Sequence, residues 1–359
     1  MKKITRLVSI LSALAILVSL AACGGGSATT PPPAGQPAAP ASSAPDASSP
    51  PTGEVVYNWK VAHVASPDNP YNLGLLYMAE LLKERSNGAI QLDVFPSSQL
   101  GGERDILEGL QFGSIDMAVV STAPVANFSD SFYVFDLPYL FSDLDTTYEV
   151  LDGEIGASLM SDIEKDGFIG LSYWQNGFFN IITQNPVVHP TDLTNMKIRA
   201  FENPIHQSYF KLCGANPIPM AWGEVYTALQ NKTVDGCTTS FTFIYNTKLD
   251  EVAKHVAVTH QVYAVAPLLM SKITWDSLPA DIQELVMECS IEARDYEREI
   301  CNSTEEDQIK ELRDNGMTIT EVDMDEWAEF MQPVYDEFVP SLISQELVDS
   351  IKAVTYPEG

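Results

Sequence analysis

The chain has 359 residues, with 20 Lys and Arg against 49 Asp and Glu, giving a formal charge of −29 and a sequence pI near 4.3. Such a balance excludes a nucleic-acid binder, which needs basic side chains to displace counterions, and it excludes docking through a basic patch onto anionic lipid. A hydrophobic share of 45% with 19% charged residues is ordinary for globular chains, so wholesale disorder is excluded as well.

The first element is a secretion signal. Lys2, Lys3 and Arg6 precede an apolar run from about Val8 to Ala22, too short and wrongly flanked for a spanning helix. It ends in Leu20-Ala21-Ala22-Cys23, a lipobox-like tetrapeptide whose thiol would accept diacylglycerol. Residues 1–22 are therefore expected to be a lipoprotein signal peptide, with Cys23 the lipidated residue. Loss of its three cations takes the formal charge from −29 to −32. Residues 24–53 hold eight prolines, no Lys or Arg, and one acid, Asp46. Residues 23–53 thus read as a solvated tether, and thirty residues of polyproline helix reach on the order of 90 Å.

The body, 54–359, opens with a strand over Val55–His63 and a turn cluster at Ser66-Pro67-Asp68-Asn69-Pro70. The pattern predicts a helix over Leu73–Arg85, a strand over Ile90–Phe95, a helix over Gly102–Gln111 and an apolar strand over Met117–Val120. This alternation predicts crossover units and a largely parallel sheet. A second α/β run follows. Strands are expected at Gly170–Tyr173, Phe178–Thr183, Met196–Ala200 and Gly236–Ser240, and helices at Pro204–Leu212 and Val225–Gln230. From Ala280 to Asn315 there is neither Gly nor Pro, which predicts one helix of about 54 Å capped by Ser277, with a break at Cys301-Asn302-Ser303 as the alternative. A last helix is expected over Asp325–Glu337.

No nucleophile elbow, HExxH, P-loop or dinucleotide fingerprint is present, and no calcium loop or paired-histidine metal site, so no enzyme, cofactor or metal is expected. Among the cysteines, Cys289 and Cys301 lie about 18 Å apart on one helix and cannot bridge, whereas Cys213 with Cys237 stays open. Arg199 is the only arginine between Arg104 and Arg294, and it ends a strand. Strand ends in open α/β sheets face the ligand crevice, where a guanidinium grips a carboxylate through two hydrogen bonds. Ser121 and Thr122 end the apolar strand of the first run in the same way.

Several blocks resemble the DctP-type solute receptors of TRAP transporters. They are Asp93-Val94-Phe95-Pro96-Ser97-Ser98-Gln99-Leu100-Gly101-Gly102, Phe135-Asp136-Leu137-Pro138-Tyr139-Leu140-Phe141, and Val150-Leu151-Asp152-Gly153. Met196-Lys197-Ile198-Arg199-Ala200-Phe201-Glu202-Asn203-Pro204 is the strongest. Gly214 to Met220, Glu224 to Gln230, Val234-Asp235-Gly236 and Thr274 to Pro279 follow in order. The resemblance covers roughly 55–340. It implies an α/β fold of two lobes, like the type II periplasmic binding proteins, each a mixed or parallel sheet flanked by helices, with the long helix spanning both. Lobe I would comprise about 54–175 and 264–305, and lobe II about 176–263 and 306–359.

It also implies a monomeric receptor that binds a small organic acid outside the cell and hands it to a TRAP membrane permease, with Arg199 on the ligand carboxylate. A receptor feeding a sensor is the competing reading. Two departures stand out. Many family members have a second arginine where this chain has Phe179, and an asparagine amide is replaced by the hydroxyl of Thr239. With one cation fewer, and with Phe178, Trp174, Trp222, Phe241 and Phe243 nearby, the reading favours a monocarboxylate with an apolar or aromatic body. A C4-dicarboxylate or sugar acid is the alternative, its second group held by backbone amides or the Ser66–Tyr71 loop. The expected ligand contacts are Arg199, Trp222, Asn203, Phe179, Thr239 and Ser121.

Overall fold

A computed structural model describes residues 56–357, so the signal peptide, Cys23 and the tether lie outside the described residues. The chain starts β1 (Tyr57–Ala62), α1 (Pro70–Arg85), β2 (Ile90–Phe95), α2 (Glu103–Gln111), β3 (Met117–Val119). Five short helical pieces beyond the expected set follow. They include α3 (Thr122–Val125), α4 (Leu144–Asp152) and α5 (Glu154–Asp162), with a 3-10 turn at Asp130–Asp136. Helix α1 begins earlier than its apolar spacing indicates. The Asn69 side chain accepts the Tyr71 N–H at 3.0 Å, and Pro70, which has no N–H to lose, takes the first helical position.

Next come β4 (Phe168–Phe178), β5 (Asn180–Thr183), β6 (Lys197–Ala200), α6 (Pro204–Leu212), β7 (Asn216–Pro219), α7 (Val225–Gln230), β8 (Gly236–Thr239), α8 (Phe241–Asn246) and β9 (His255–Val258). The chain closes with β10 (Tyr263–Ser271), α9 (Lys272–Asp276), α10 (Ala280–Asp314), β11 (Thr318–Glu321), α11 (Met324–Phe338) and α12 (Gln345–Thr355). Helices α8, α9 and α12 and strands β7, β9, β10 and β11 are additional to the expected elements. Strand β10 escapes the alternation test because all nine of its residues are buried, leaving no polar face to read.

Two mixed sheets form, in the orders β2-β1-β3-β10-β4 and β11-β9-β5-β8-β6-β7. Both sheets are mixed, as the resemblance implies, and the largely parallel sheet read from the alternation of the first run needs correction. β10 runs antiparallel between β3 and β4, and β5 runs antiparallel to both β8 and β9. The cause is the chain path: it leaves the first sheet along β4 and returns along β10, so these strands pair as a long ladder rather than through crossover helices. For the same reason the strand expected to stop at Tyr173 continues to Phe178.

Helix α10 is continuous for 35 residues, about 52 Å, with no break at Cys301–Ser303. It packs against α1 beside the first sheet and α8 beside the second, so it spans both lobes. Ser277 does not cap it, because Ser277 ends α9 and Pro279 occupies the cap position. Helix α12 packs on α4, where Thr355 donates to the Leu140 carbonyl at 3.0 Å.

The α1–α10–β4 contact depends on Gly74. A Cβ there would lie 2.7 Å from the Trp174 ring and 3.1 Å from the Glu297 Cβ. Trp174 is fully buried, with its indole N–H held by Ser172 at 3.0 Å, so it has no room to yield. Gly74→Ala should lower unfolding stability by about 1–3 kcal/mol in urea titration, the usual result of overpacking a tight core. A fully wild-type midpoint would refute this packing.

Candidate functional site

The carboxyl ends of β1, β3, β4, β6 and β8 converge between the two sheets. A cleft of about 210 Å³ opens there, lined by Glu103, Phe128, Arg199, Phe201, Met220 and Trp222 among others. Beside it lies a small inner pocket of about 10 Å³, lined by Val64, Glu103, Ser121, Asn176, Phe179, Phe201, Trp222, Thr239 and Phe243. Glu103, Phe201 and Trp222 form the wall shared by the two spaces.

Arg199 lies in the wall of this cleft. Its side chain is 1% exposed, its Nε donates to the Met220 carbonyl at 2.9 Å, and its Nη1 is buried with no hydrogen-bond partner. The guanidinium lies 4.2 Å from the Phe201 ring centroid and 5.6 Å from that of Trp222. Aromatic faces favour a cation electrostatically without consuming its N–H donors, so those donors remain free for a ligand. Burial pulls the Arg199 pKa below its ordinary value, although nearby Cys237 and Glu103 oppose the shift. A guanidinium still stays charged in proteins.

Phe179 occupies the place where the resemblance implies a second arginine, and it serves the first one. Its ring stacks on Phe201 with centroids 6.0 Å apart and planes 7° from parallel, backing the ring on which Arg199 lies. Phe179 is 3% exposed and belongs to the core, yet its edge borders the inner pocket. Trp222 is half-buried, packs edge-on to Phe243 at 5.2 Å and lines both spaces. Ser121 and Thr239 are buried and reach the inner pocket from opposite sheets.

Asn203 is placed elsewhere. Its Oδ1 caps α6 by accepting the N–H groups of Ile205 at 2.9 Å and His206 at 3.3 Å. Its Nδ2 donates to Asp136 at 2.7 Å and to the Ala123 carbonyl at 3.1 Å. All its polar capacity is used inside the fold, and it lines neither cavity. Asp136 also accepts from His206 at 2.9 Å, so this network braces the segment behind Phe201, whose ring meets His206 edge-on at 5.0 Å. Of the other aromatics, Trp174 packs in the core, while Phe178 stacks on His260 at 4.9 Å and meets Tyr263 edge-on at 5.0 Å. Cys213 and Cys237 are both free and buried, which settles the open pairing against a bridge.

Glu103 is the residue that sequence reasoning missed. It is 8% exposed, and one carboxyl oxygen accepts the Ser121 N–H at 2.6 Å. Burial raises its pKa, against the Ser121 hydrogen bonds and the Arg199 charge. An acid in the first turn of a helix looks like routine dipole compensation, so its sequence position carries no distinct signal. Asn176 was likewise overlooked. It lines the inner pocket and accepts the Ser240 hydroxyl at 3.0 Å.

Comparison with known proteins now decides the family. The model for bacterial extracellular solute-binding protein family 7 (DctP) matches residues 61–341. The chain belongs to that family. The C4-dicarboxylate-binding periplasmic protein DctP of Rhodobacter capsulatus is 34% identical over 301 residues, covering 82% of this chain and 90% of the relative. The 2,3-diketo-L-gulonate-binding periplasmic protein YiaO of Escherichia coli K12 is 32% identical over 278 residues, 77% of this chain and 84% of the relative. A TRAP periplasmic solute-binding protein from Polaromonas sp. JS666, solved with D-erythronate, superposes with a TM-score of 0.81 at 31% identity, covering 84% of this chain and all of that one. This DctP-family chain is thus an extracytoplasmic TRAP solute receptor, and its relatives are binding proteins rather than enzymes. No helix among the described residues is long and apolar enough to cross a membrane.

A buried cation without an anion costs stability. Replacing Arg199 by Met, of similar length and apolar, should raise the melting temperature of the ligand-free receptor while abolishing carboxylate binding. A melting temperature lowered by several degrees would show instead that the guanidinium stabilises the fold.

Proposed function

We propose that the protein captures a small monocarboxylate outside the cell, through Arg199, and delivers it to TRAP permease subunits. The observation that carries this reading is a buried guanidinium with a free donor, set on two aromatic rings at the wall of the cleft. Phe179, Trp222 and Phe243 offer apolar surface to the ligand body. Glu103 sharpens the class. With Phe179 where the resemblance implies a second arginine, a second ligand carboxylate in the inner pocket would meet Glu103 and no balancing cation, whereas a hydroxyl could donate to it. The preferred ligand is therefore a monocarboxylate with apolar surface and a hydroxyl. Ser121 and Thr239 complete the inner wall.

A dicarboxylate is the second reading, supported by the name of the Rhodobacter capsulatus relative. The D-erythronate held by the Polaromonas protein, a hydroxylated monocarboxylate, supports the first. Anchoring through acylated Cys23 and a monomeric state complete the proposal, and a Cys23→Ala chain should appear in the soluble fraction instead of the membrane.

Calorimetry with hydroxylated monocarboxylates and with succinate tests the ligand class. Binding of succinate alone would overturn it. With the tightest acid found, Arg199→Ala should weaken binding at least 100-fold, since breaking a buried charge pair costs about 3–5 kcal/mol and each 1.4 is tenfold. A loss below fivefold would remove Arg199 from the site. Glu103→Gln should narrow the gap between succinate and the monocarboxylates.

A further inference from the structure

Besides the passage from β10 to β11 along α10, the chain passes directly from strand to strand between the sheets at two places, from β4 into β5 around Phe178–Asn180, and from β9 back to β10 across 259–262. Just before the first crossing the β4–β10 ladder slips. Ala264 pairs with Gly177 and Val265 with Gln175, leaving Asn176 unmatched, and Gly177 has φ +101. A bulge with a left-handed glycine at a crossing is where a hinge can bend. Asn176 also joins the bulge to the second sheet through the Ser240 hydroxyl, and it lines the inner pocket.

The middle of α10 presses Glu297 against this bulge. Glu297 is fully buried, its Oε2 accepts the Gln175 N–H at 3.0 Å, and its Oε1 accepts the Cys301 thiol at 3.2 Å. Among the described residues no cation forms an ion pair with it. Adjacent Arg298 commits its terminal nitrogens to Asp152, at 2.6 and 3.0 Å, and to the Tyr173 carbonyl at 2.7 Å. The other ionisable groups acting on this cluster are Tyr71 from α1, Tyr263 from β10, Tyr148 from α4, and Cys301 and Glu305 from α10 itself. The Glu305 Oε2 lies 3.8 Å from where a Cβ on Gly177 would sit.

We propose that Glu297 is a proton-sensitive strut of the hinge, whose ionisation loosens the Gln175–Gly177 bulge from α10 and so favours separation of the lobes. A carboxylate held by two donors and no cation is poorly solvated where it lies, and hinge opening would admit water to it. Burial, opposed by the Gln175 and Cys301 hydrogen bonds and by Arg298, raises the Glu297 pKa to about 7. The sign follows from linkage: the packed hinge holds the proton more tightly than the open one, so packing is favoured at low pH and weakens as pH rises through about 7. With an ordinary carboxylate value in the open form, the opening constant rises about tenfold between pH 6 and pH 8.

Hydrogen–deuterium exchange on the full-length protein tests this without any ligand, so it stands or falls apart from the ligand class. At each pH the exchange rate of peptides spanning 172–180 is divided by that of Glu297→Gln, which cancels the intrinsic pH dependence. The ratio is expected to rise about tenfold from pH 6 to pH 8, while peptides covering α7 stay level. A flat ratio, an equal rise in α7, or the same flattening produced by Glu305→Gln would overturn the proposal. Cys301→Ala gives a second check should Glu297→Gln fail to fold. Losing the thiol donor should raise the packed-state pKa further, so the rise in exchange of the 172–180 peptides should continue to higher pH before levelling, and an unmoved plateau would overturn it.

Discussion

The burial of the Arg199 guanidinium without a partner acid is the constraint around which the rest of the body is arranged. A charge withdrawn from water is tolerable only where polarisable or dipolar groups replace the solvent. Here the Phe201 ring, itself backed by Phe179, and the Met220 carbonyl take that role. Behind Phe201, the Asp136–His206–Asn203 network ties α6 to the 130–136 turn, so the ring that carries the cation rests on a fully hydrogen-bonded base. A guanidinium left under-coordinated in this way is preorganised for a carboxylate. In the proposed role of Arg199, the protein's acidity is no obstacle to binding an acid: surface charges are screened within about 8–10 Å, whereas a buried cation acts locally.

The two-lobed architecture places this cation against groups from the other sheet. Ser121 and Glu103 come from the first sheet and its α2 helix, and Arg199 and Thr239 from the second. The β4 and β10 crossings, the long α10 helix, and the bonds of Asn203 and His206 on α6 to Ala123 and Asp136 hold these halves in register. The cleft's electrostatics therefore depend on a hinge whose own polar groups, Asn176 above all, face the same inner pocket.

Much of the fold was legible because local signals agreed. Asn203-Pro204 reads as a cap and first turn, and α6 starts there. The Gly- and Pro-free run predicts α10 to within one residue. What escaped were elements whose burial is set by tertiary context. β10 is apolar on both faces, and β7, Asn-Pro-Ile-Pro, lacks strand propensity but lies at a sheet edge where Pro needs no ladder donor. At the site, Arg199 was visible through its isolation among arginines. Glu103 was hidden in a helix start, and Asn203 resembled a ligand contact because a cap and a binding amide look alike in sequence.

The four described cysteines are scattered through separate parts of the interior, as free thiols. Burial raises the Cys213 and Cys237 thiols to about 12 and also raises those of Cys289 and Cys301. Because the thiolate is the nucleophile that reacts with oxidants and attacks disulfides, the folded receptor offers them almost nothing to react with. Outside the cytoplasm, where thiols are normally converted to disulfides, this chain's protection lies in the folded state itself. Folding promptly after export is then a chemical safeguard as well as a structural one, and any variant that lingers partly unfolded loses it.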